Sequence, residues 1–245
     1  MIEKRALCIV AHGDDETNGA GGTLHRLKAD GWKILIVYAT TSVDGNRTNE
    51  CIAAASHLGA DYEIWGFNDG KLEDTSETRA SAVRVYNWFK PSLVIGLHGL
   101  DVHPDHRAIS SIALGPAMQR GVNIEYFTCE LCSSGRHTDG DRPQSLGFMP
   151  THYVDTTQWV EQVDNMTRCH ASQDPEAMIV GMARVHANRA AESGLDQCTQ
   201  AEAFVRLTRV GDLHPEIEKI FNPSPFNLPR RIGCDFKPEN IGIEA

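Results

Sequence analysis

The 245-residue chain reads as an α/β protein with a Rossmann-like, doubly wound, mostly parallel sheet and helices on both faces. Three observations predict this. Short apolar runs without alternation recur at residues 6–10 (ALCIV), 33–40 and 92–97, as strands buried on both faces do. Segments of helical period separate them at a spacing that implies right-handed crossovers. The first and fourth strands also empty directly into clusters of His and Asp, at the edge where open α/β sheets bind ligands.

In chain order, the first strand must leave the sheet at Ala11–His12, because the carboxylates of Asp14, Asp15 and Glu16 are not buried without partners. A helix follows over 17–30, beginning loosely at Gly19, Gly21 and Gly22. Small residues there admit a close approach of helix to sheet, or of backbone to a ligand. A nucleotide loop is disfavoured, since neither GxGxxG spacing nor a Walker lysine is present. The strand 33–40 leads through the polar loop 41–47 into a helix over 48–58, stopped by Gly59. A short strand over 61–65, a helix over 75–89 closed by Pro91, and the strand 92–97 follow. Pro104 suits the first position of a helix over about 105–120. A fifth strand is expected over 123–128, a long loop over 129–150 and one more short strand over 153–155. Helices are expected over 158–170 and 176–192, then a wrapping tail. No linker or repeat divides the chain, which predicts a single domain over 1–245.

Composition narrows the function. A formal charge of −10 argues against a nucleic-acid partner. No apolar run reaches the roughly 18 residues of a membrane span, and no signal peptide is visible. Seven scattered cysteines fit a reduced, cytoplasmic setting better than a disulfide framework. Cys129 and Cys132 form a lone CxxC, too little for a zinc knuckle.

The chemistry lies in AHGDDE (11–16) and HPDH (103–106). His12, Asp15 and one histidine of the second pair offer three ligands, with a fourth position left for water, as in catalytic zinc sites. The same donors also suit Fe2+, Mn2+ or Co2+. Asp14 is then free to act as general base. The remaining histidine can stabilise an oxyanion or protonate a leaving amine, and Asp105 can hold a histidine in its tautomer. The set fits metal-assisted hydrolysis of an amide.

AHGDDE and HPDH, in this order and on these strands, resemble the LmbE/PIG-L family of zinc-dependent N-acetyl-sugar deacetylases, whose pattern is AHPDDE followed by HxxH. The likeness spans about residues 6–205 and leaves 206–245 unassigned. It implies that His12, Asp15 and His106 bind Zn2+, that Asp14 is the base and that His103 stabilises the oxyanion. Arg47, with Glu50, is similar to the family's arginine–glutamate helix. Asp69 resembles its substrate-hydroxyl-binding aspartate. HASQ (170–173) and AEAF (201–204) look like its C-terminal landmarks. The implied partner is a small-molecule amino sugar or glycoconjugate, and self-association into a homo-oligomer is left open. Gly13 stands where the family has proline, which is expected to loosen the loop. The TSVDG loop (41–45) lacks the more usual acidic glycine turn.

Plainer readings stand beside these. Arg47 could simply pair with Glu50 on a helix surface, and Asp69–Gly70 is a good turn by itself. Glu16, His98 and His170 read as structural, and the four tryptophans as core. Two other functions compete. One is a metal-dependent hydratase of a small unsaturated dicarboxylate, for which Arg47 and Arg136 would be the cations. The other is a sugar-binding module without turnover.

Overall fold

The computed structural model describes residues 2–41, 45–119, 123–132, 147–207 and 212–226. Among these, eight strands form one sheet: β1 (Arg5–Val10), β2 (Lys33–Thr41), β3 (Asp61–Asn68), β4 (Leu93–Leu97), β5 (Glu125–Cys129), β6 (His152–Asp155), β7 (Ala201–Arg206) and β8 (Asn222–Pro223), in the spatial order β3-β2-β1-β4-β5-β7-β6-β8. The first five strands run parallel, and β7, β6 and β8 extend the sheet antiparallel. β1 and β4 are almost wholly buried, which explains their continuous apolar sequences.

The helices are α1 (Asp15–Ala29), α2 (Asn46–Leu58), α3 (Ser76–Phe89), α4 (Pro104–Ala117), α5 (Val160–Arg168), α6 (Pro175–Ser193) and the single turn α7 (Pro215–Glu218). α1 packs against α2 and α5, and α5 against α6; α3 pairs with α4, which lies over β1, β4 and β5. β1 sits between β2 and β4, so the chain leaves it toward one side and later returns on the other. The loops after β1 and β4 therefore diverge at their carboxyl ends, and the crevice between them is the ligand position of such sheets.

The glycines of α1 serve packing. A Cβ on Gly22 would lie 2.5 Å from Thr156 Cγ2, and one on Gly19 would lie 2.5 Å from Cys129 Sγ. Glu202, buried in β7, accepts the backbone N–H groups of Gly22 and Thr23 at 2.7 and 2.8 Å and the Thr23 hydroxyl at 2.5 Å.

The structure differs from expectation in three places. β7 was not anticipated, because Glu202 interrupts the short apolar stretch 201–205 and the α1 donors that satisfy it lie some 180 residues away. The first part of the expected wrapping tail belongs to the core. Ile217, Ile220 and Phe221 are fully buried, and Phe221 stacks on Phe127 with centroids 4.2 Å apart. Of the four tryptophans expected in the core, Trp32 is buried while Trp88 is 61% exposed. Most of the loop 129–150, including Arg136, and the tail beyond 226 lie outside the described residues, as do positions 42–44 of the TSVDG loop.

Candidate active site

β1 ends at Val10 and α1 begins at Asp15, so His12, Gly13 and Asp14 make the whole turn between them. The first turn of α1 carries Asp15 and Glu16, acids that suit the positive end of a helix. After β4, the loop 98–103 runs into α4 with Pro104 at its first position and His103 as its cap. The two segments meet. His12 Nδ1 lies 3.1 Å from His106 Nε2, and Asp15 carboxylate oxygens lie 3.4 Å from each of those nitrogens.

The opposite nitrogens decide which way the rings are wired. His12 Nε2 faces Asp69 Oδ1 at 3.1 Å and Asp105 Oδ2 at 3.2 Å, so a neutral ring would carry its proton on Nε2 and leave the Nδ1 lone pair free. His106 Nδ1 faces Asp101 Oδ1 at 3.0 Å, which leaves the Nε2 lone pair free. Two lone pairs and a carboxylate therefore converge on one point, and each imidazole is backed by a carboxylate in the manner of metal-ligating histidines.

His103 is wired differently. Its Nδ1 accepts the Asp105 backbone N–H at 3.2 Å, so the neutral ring carries its proton on Nε2. His12, His103 and His106 are close enough to hold an ion together, as are His12, Asp69 and Asp105. The first trio would need His103 to give up its capping bond. In the second, Asp105 is already occupied by the N–H groups of Gly70 at 2.7 Å and Leu72 at 3.1 Å. Asp15 Oδ2 likewise accepts the His12 backbone N–H at 2.8 Å, which leaves Oδ1, 3.4 Å from His106 Nε2, for a third candidate set of His12, Asp15 and His106.

The electrostatics favour positive charge here. Burial alone would lower the basicity of His12 and His106, yet Asp15 and Asp69 push His12 up to about 11, and Asp15 and Asp101 push His106 up to about 9. Two imidazolium rings cannot aim N–H groups at each other across 3.1 Å, whereas two neutral rings can share one metal ion. The residues present thus fit a divalent metal. For Asp15, burial acts upward, but the neighbouring His106 and His12 hold it well below the usual carboxylate range. For Asp14, burial and the adjacent Asp15 push it up to about 7, with Arg47 opposing.

Arg47 lies in the first turn of α2, where the helix dipole disfavours a cation. Three acceptors hold it there: Gly13 O at 2.6 Å, Asp14 Oδ1 at 3.1 Å and Asp69 Oδ2 at 3.5 Å. It does not pair with Glu50, which instead accepts the Ser172 N–H and hydroxyl at 2.8 Å each. One open cleft is lined by His12, Asp14, Asp15, Asn18, Arg47, Asp69, His103, His106, Cys132 and Gln173. All eight residues singled out in the sequence (His12, Asp14, Asp15, Arg47, Asp69, His103, Asp105 and His106) meet at this cleft or directly behind it.

Asp101, Asn18 and Gln173 were missed. Asp101 precedes the HPDH motif by two residues, and only the turn geometry shows which histidine it serves. Asn18 exchanges two hydrogen bonds with the backbone of Cys132, at 2.7 and 3.1 Å. His170 does not lie in a helix as expected, but in the turn after α5, with its Nε2 at 2.9 Å from Glu16. The loop at Gly13 is not loose: a Cβ there would lie 2.2 Å from Cys51 Sγ, so the thiol fills the space beside it.

A buried His–Asp cluster at the switch point of this α/β sheet has the donors to hold a metal ion. Residues 7–115 match the family described as "PIG-L: GlcNAc-PI de-N-acetylase". The chain is similar to the diacetylchitobiose deacetylase of Thermococcus kodakarensis, 27% identical over a 194-residue alignment, with 71% of each protein covered. Among solved structures, a conserved protein of Thermus thermophilus superposes with a TM-score of 0.68 at 26% identity, covering 87% of this chain and 98% of that one. GalB, the 4-carboxy-2-hydroxymuconate hydratase of Pseudomonas putida, shares the fold with a TM-score of 0.67 at 18% identity, covering 86% of this chain and 99% of its own.

Proposed function

We propose that the protein is a metal-dependent N-deacetylase that hydrolyses the N-acyl group, acetyl by preference, of an amino sugar or glycoconjugate. The observation that carries the reading is the convergence of His12 Nδ1, His106 Nε2 and Asp15 beside an unligated Asp14. His12, Asp15 and His106 would hold the ion, with zinc the first choice and Fe2+, Mn2+ or Co2+ compatible with the same donors. When bound, it supplies Lewis acidity, acidifying water and polarising the amide carbonyl.

Asp14 takes a proton from the attacking water. Its elevated basicity suits that role near neutrality, and a nearby dication acts in the opposite direction. The water oxygen bonds to the carbonyl carbon, the C–N bond breaks, and Asp14 returns the proton to the leaving amine. His103 donates from Nε2 to the developing oxyanion; the proton placement supports this role even in the neutral ring. Asp105 and Asp101 hold His12 and His106 in their tautomers. Asp69 accepts a substrate hydroxyl, and Arg47 steadies Asp14 and Asp69 together.

The test is metal analysis of the purified protein, followed by acetate release across a panel of N-acetylated amino-sugar conjugates. The expected result is close to one metal per chain, and activity that falls by at least about 100-fold in Asp14→Ala and His106→Ala. The hydratase reading shares the fold but needs cations for a dicarboxylate. Arg47 is already engaged by three acceptors, which weighs against it. Turnover of an unsaturated diacid with no acetate released from any sugar would replace the deacetylase reading. No turnover in the wild type, with a sugar affinity that Asp14→Ala leaves intact, would favour a binding module.

A further inference from the structure

Four non-glycine residues among those described have positive φ. Lys90, Asp174 and Gln197 lie at 51–57°, in the left-handed well, while Asp14 stands apart at φ 126°, ψ −28°. Such a backbone persists only where the surroundings hold it, and it is a feature of functional sites. Asp14 is the N-cap of α1, yet its side chain caps nothing and lies in the cleft against Arg47. An aspartate there would ordinarily fold back onto the first turn of its helix.

A buried chain of hydrogen bonds holds the Asp14 backbone itself. Glu16 Oε2 accepts the Asp14 N–H at 3.0 Å. Glu16 Oε1 accepts from His170 Nε2 at 2.9 Å, from the Tyr38 hydroxyl at 3.0 Å and from Thr17 Oγ1 at 3.1 Å. Glu16 and His170 are both fully buried. The His170 ring also lies under the turn itself, since a Cβ on Gly13 would be 3.7 Å from its Cε1. Neither residue lines the cleft or reaches the reacting atoms.

We propose that Glu16, oriented by His170, is the positioning device that fixes the backbone of Asp14 so that its carboxylate faces the substrate instead of capping α1. The proposal rests on the reading of Asp14 as the base. It links the turn after α5 to the chemistry at the end of β1, and gives the HASQ segment a task distant in sequence from the metal motifs.

The experiment uses the full chain loaded with zinc, as His170→Ala, His170→Gln and Glu16→Gln. Metal content, thermal stability, kcat and KM are measured, and crystal structures of the wild type and His170→Ala are compared. In His170→Ala, one metal per chain and a KM within about threefold of wild type are expected, with kcat lower by about 10- to 100-fold, the scale of a small misplacement. Asp14 should relax to negative φ in that variant. His170→Gln retains an N–H donor for Glu16 and should recover most of kcat. Should His170→Ala fail to fold, Glu16→Gln decides, because one amide oxygen cannot serve every donor that Glu16 now satisfies; the same loss of kcat is expected. A folded, metal-loaded His170→Ala or Glu16→Gln with kcat within twofold of wild type overturns the proposal. So does a His170→Ala structure in which Asp14 keeps its φ. If the wild type releases no acetate from any sugar, the deacetylase reading fails, while the Asp14 geometry still decides this proposal.

Discussion

His12 performs two tasks with two nitrogens, and the carboxylates around it keep those tasks apart. Asp69 and Asp105 face Nε2, which leaves the Nδ1 lone pair of a neutral ring for the proposed metal ion. Asp101 does the same for His106 from the other ring position. Removing it in Asp101→Ala should weaken metal binding by about 10- to 100-fold, read by competition with a chromophoric chelator; unchanged affinity would show that the tautomer is set elsewhere. The residues that meet at the cleft were legible in the sequence because His12, Asp14, Asp15 and Glu16 crowd into the five positions 12–16 just after a buried strand. Asp101 was not, because a turn and not a helical spacing brings it to His106. Gly13 belongs to the same scale. Its missing side chain is matched by Cys51 Sγ, which neither motif reveals. Gly13→Ala should destabilise the fold by about 1–3 kcal/mol through overpacking, and Cys51→Ala in the same chain, which removes the clashing Sγ, should restore most of that loss in denaturant titrations.

At the scale of elements, the strands of the parallel half announce themselves because both faces are buried. β7 does not, because its acid is satisfied by donors on α1, and the sequence holds no local trace of that pairing. The approach of α1 to this part of the sheet reverses an ordinary rule. Gly→Ala inside a helix commonly stabilises by about 1 kcal/mol. At Gly22 the added Cβ meets Thr156 Cγ2 and Cβ at 2.5 and 2.6 Å. Gly22→Ala should therefore lower stability, by about 1–3 kcal/mol, and a raised melting temperature would contradict the packing described. The chain termini of elements matter in the same way. His103 caps α4 with its ring, so the first turn of that helix and the proton position on His103 are set by one hydrogen bond.

Across the whole molecule, the antiparallel strands and α6 wall off the core behind the site, and they bring a pH liability with them. His186 on α6 is buried; desolvation first, then Arg189, lower it to about 4. Its folded value lies below the unfolded one near 6.5, so the unfolded chain binds the extra proton between those limits. Stability from this group is complete above pH about 6.5 and declines as pH falls toward 4, by about 3 kcal/mol at most. His186→Gln should flatten that part of the stability–pH curve; an unchanged slope would show that His186 accepts its proton without cost. No helix among the described residues is long and apolar enough to cross a membrane. The fold itself does not choose between chemistries, since it is shared with a hydratase at a TM-score of 0.67. The choice rests on the centre. Anomalous scattering from a zinc-loaded crystal locates the ion directly. The account predicts one peak about 2.0–2.2 Å from His12 Nδ1, His106 Nε2 and an Asp15 oxygen. A peak held by His103, or one lying between Asp69 and Asp105, would contradict it.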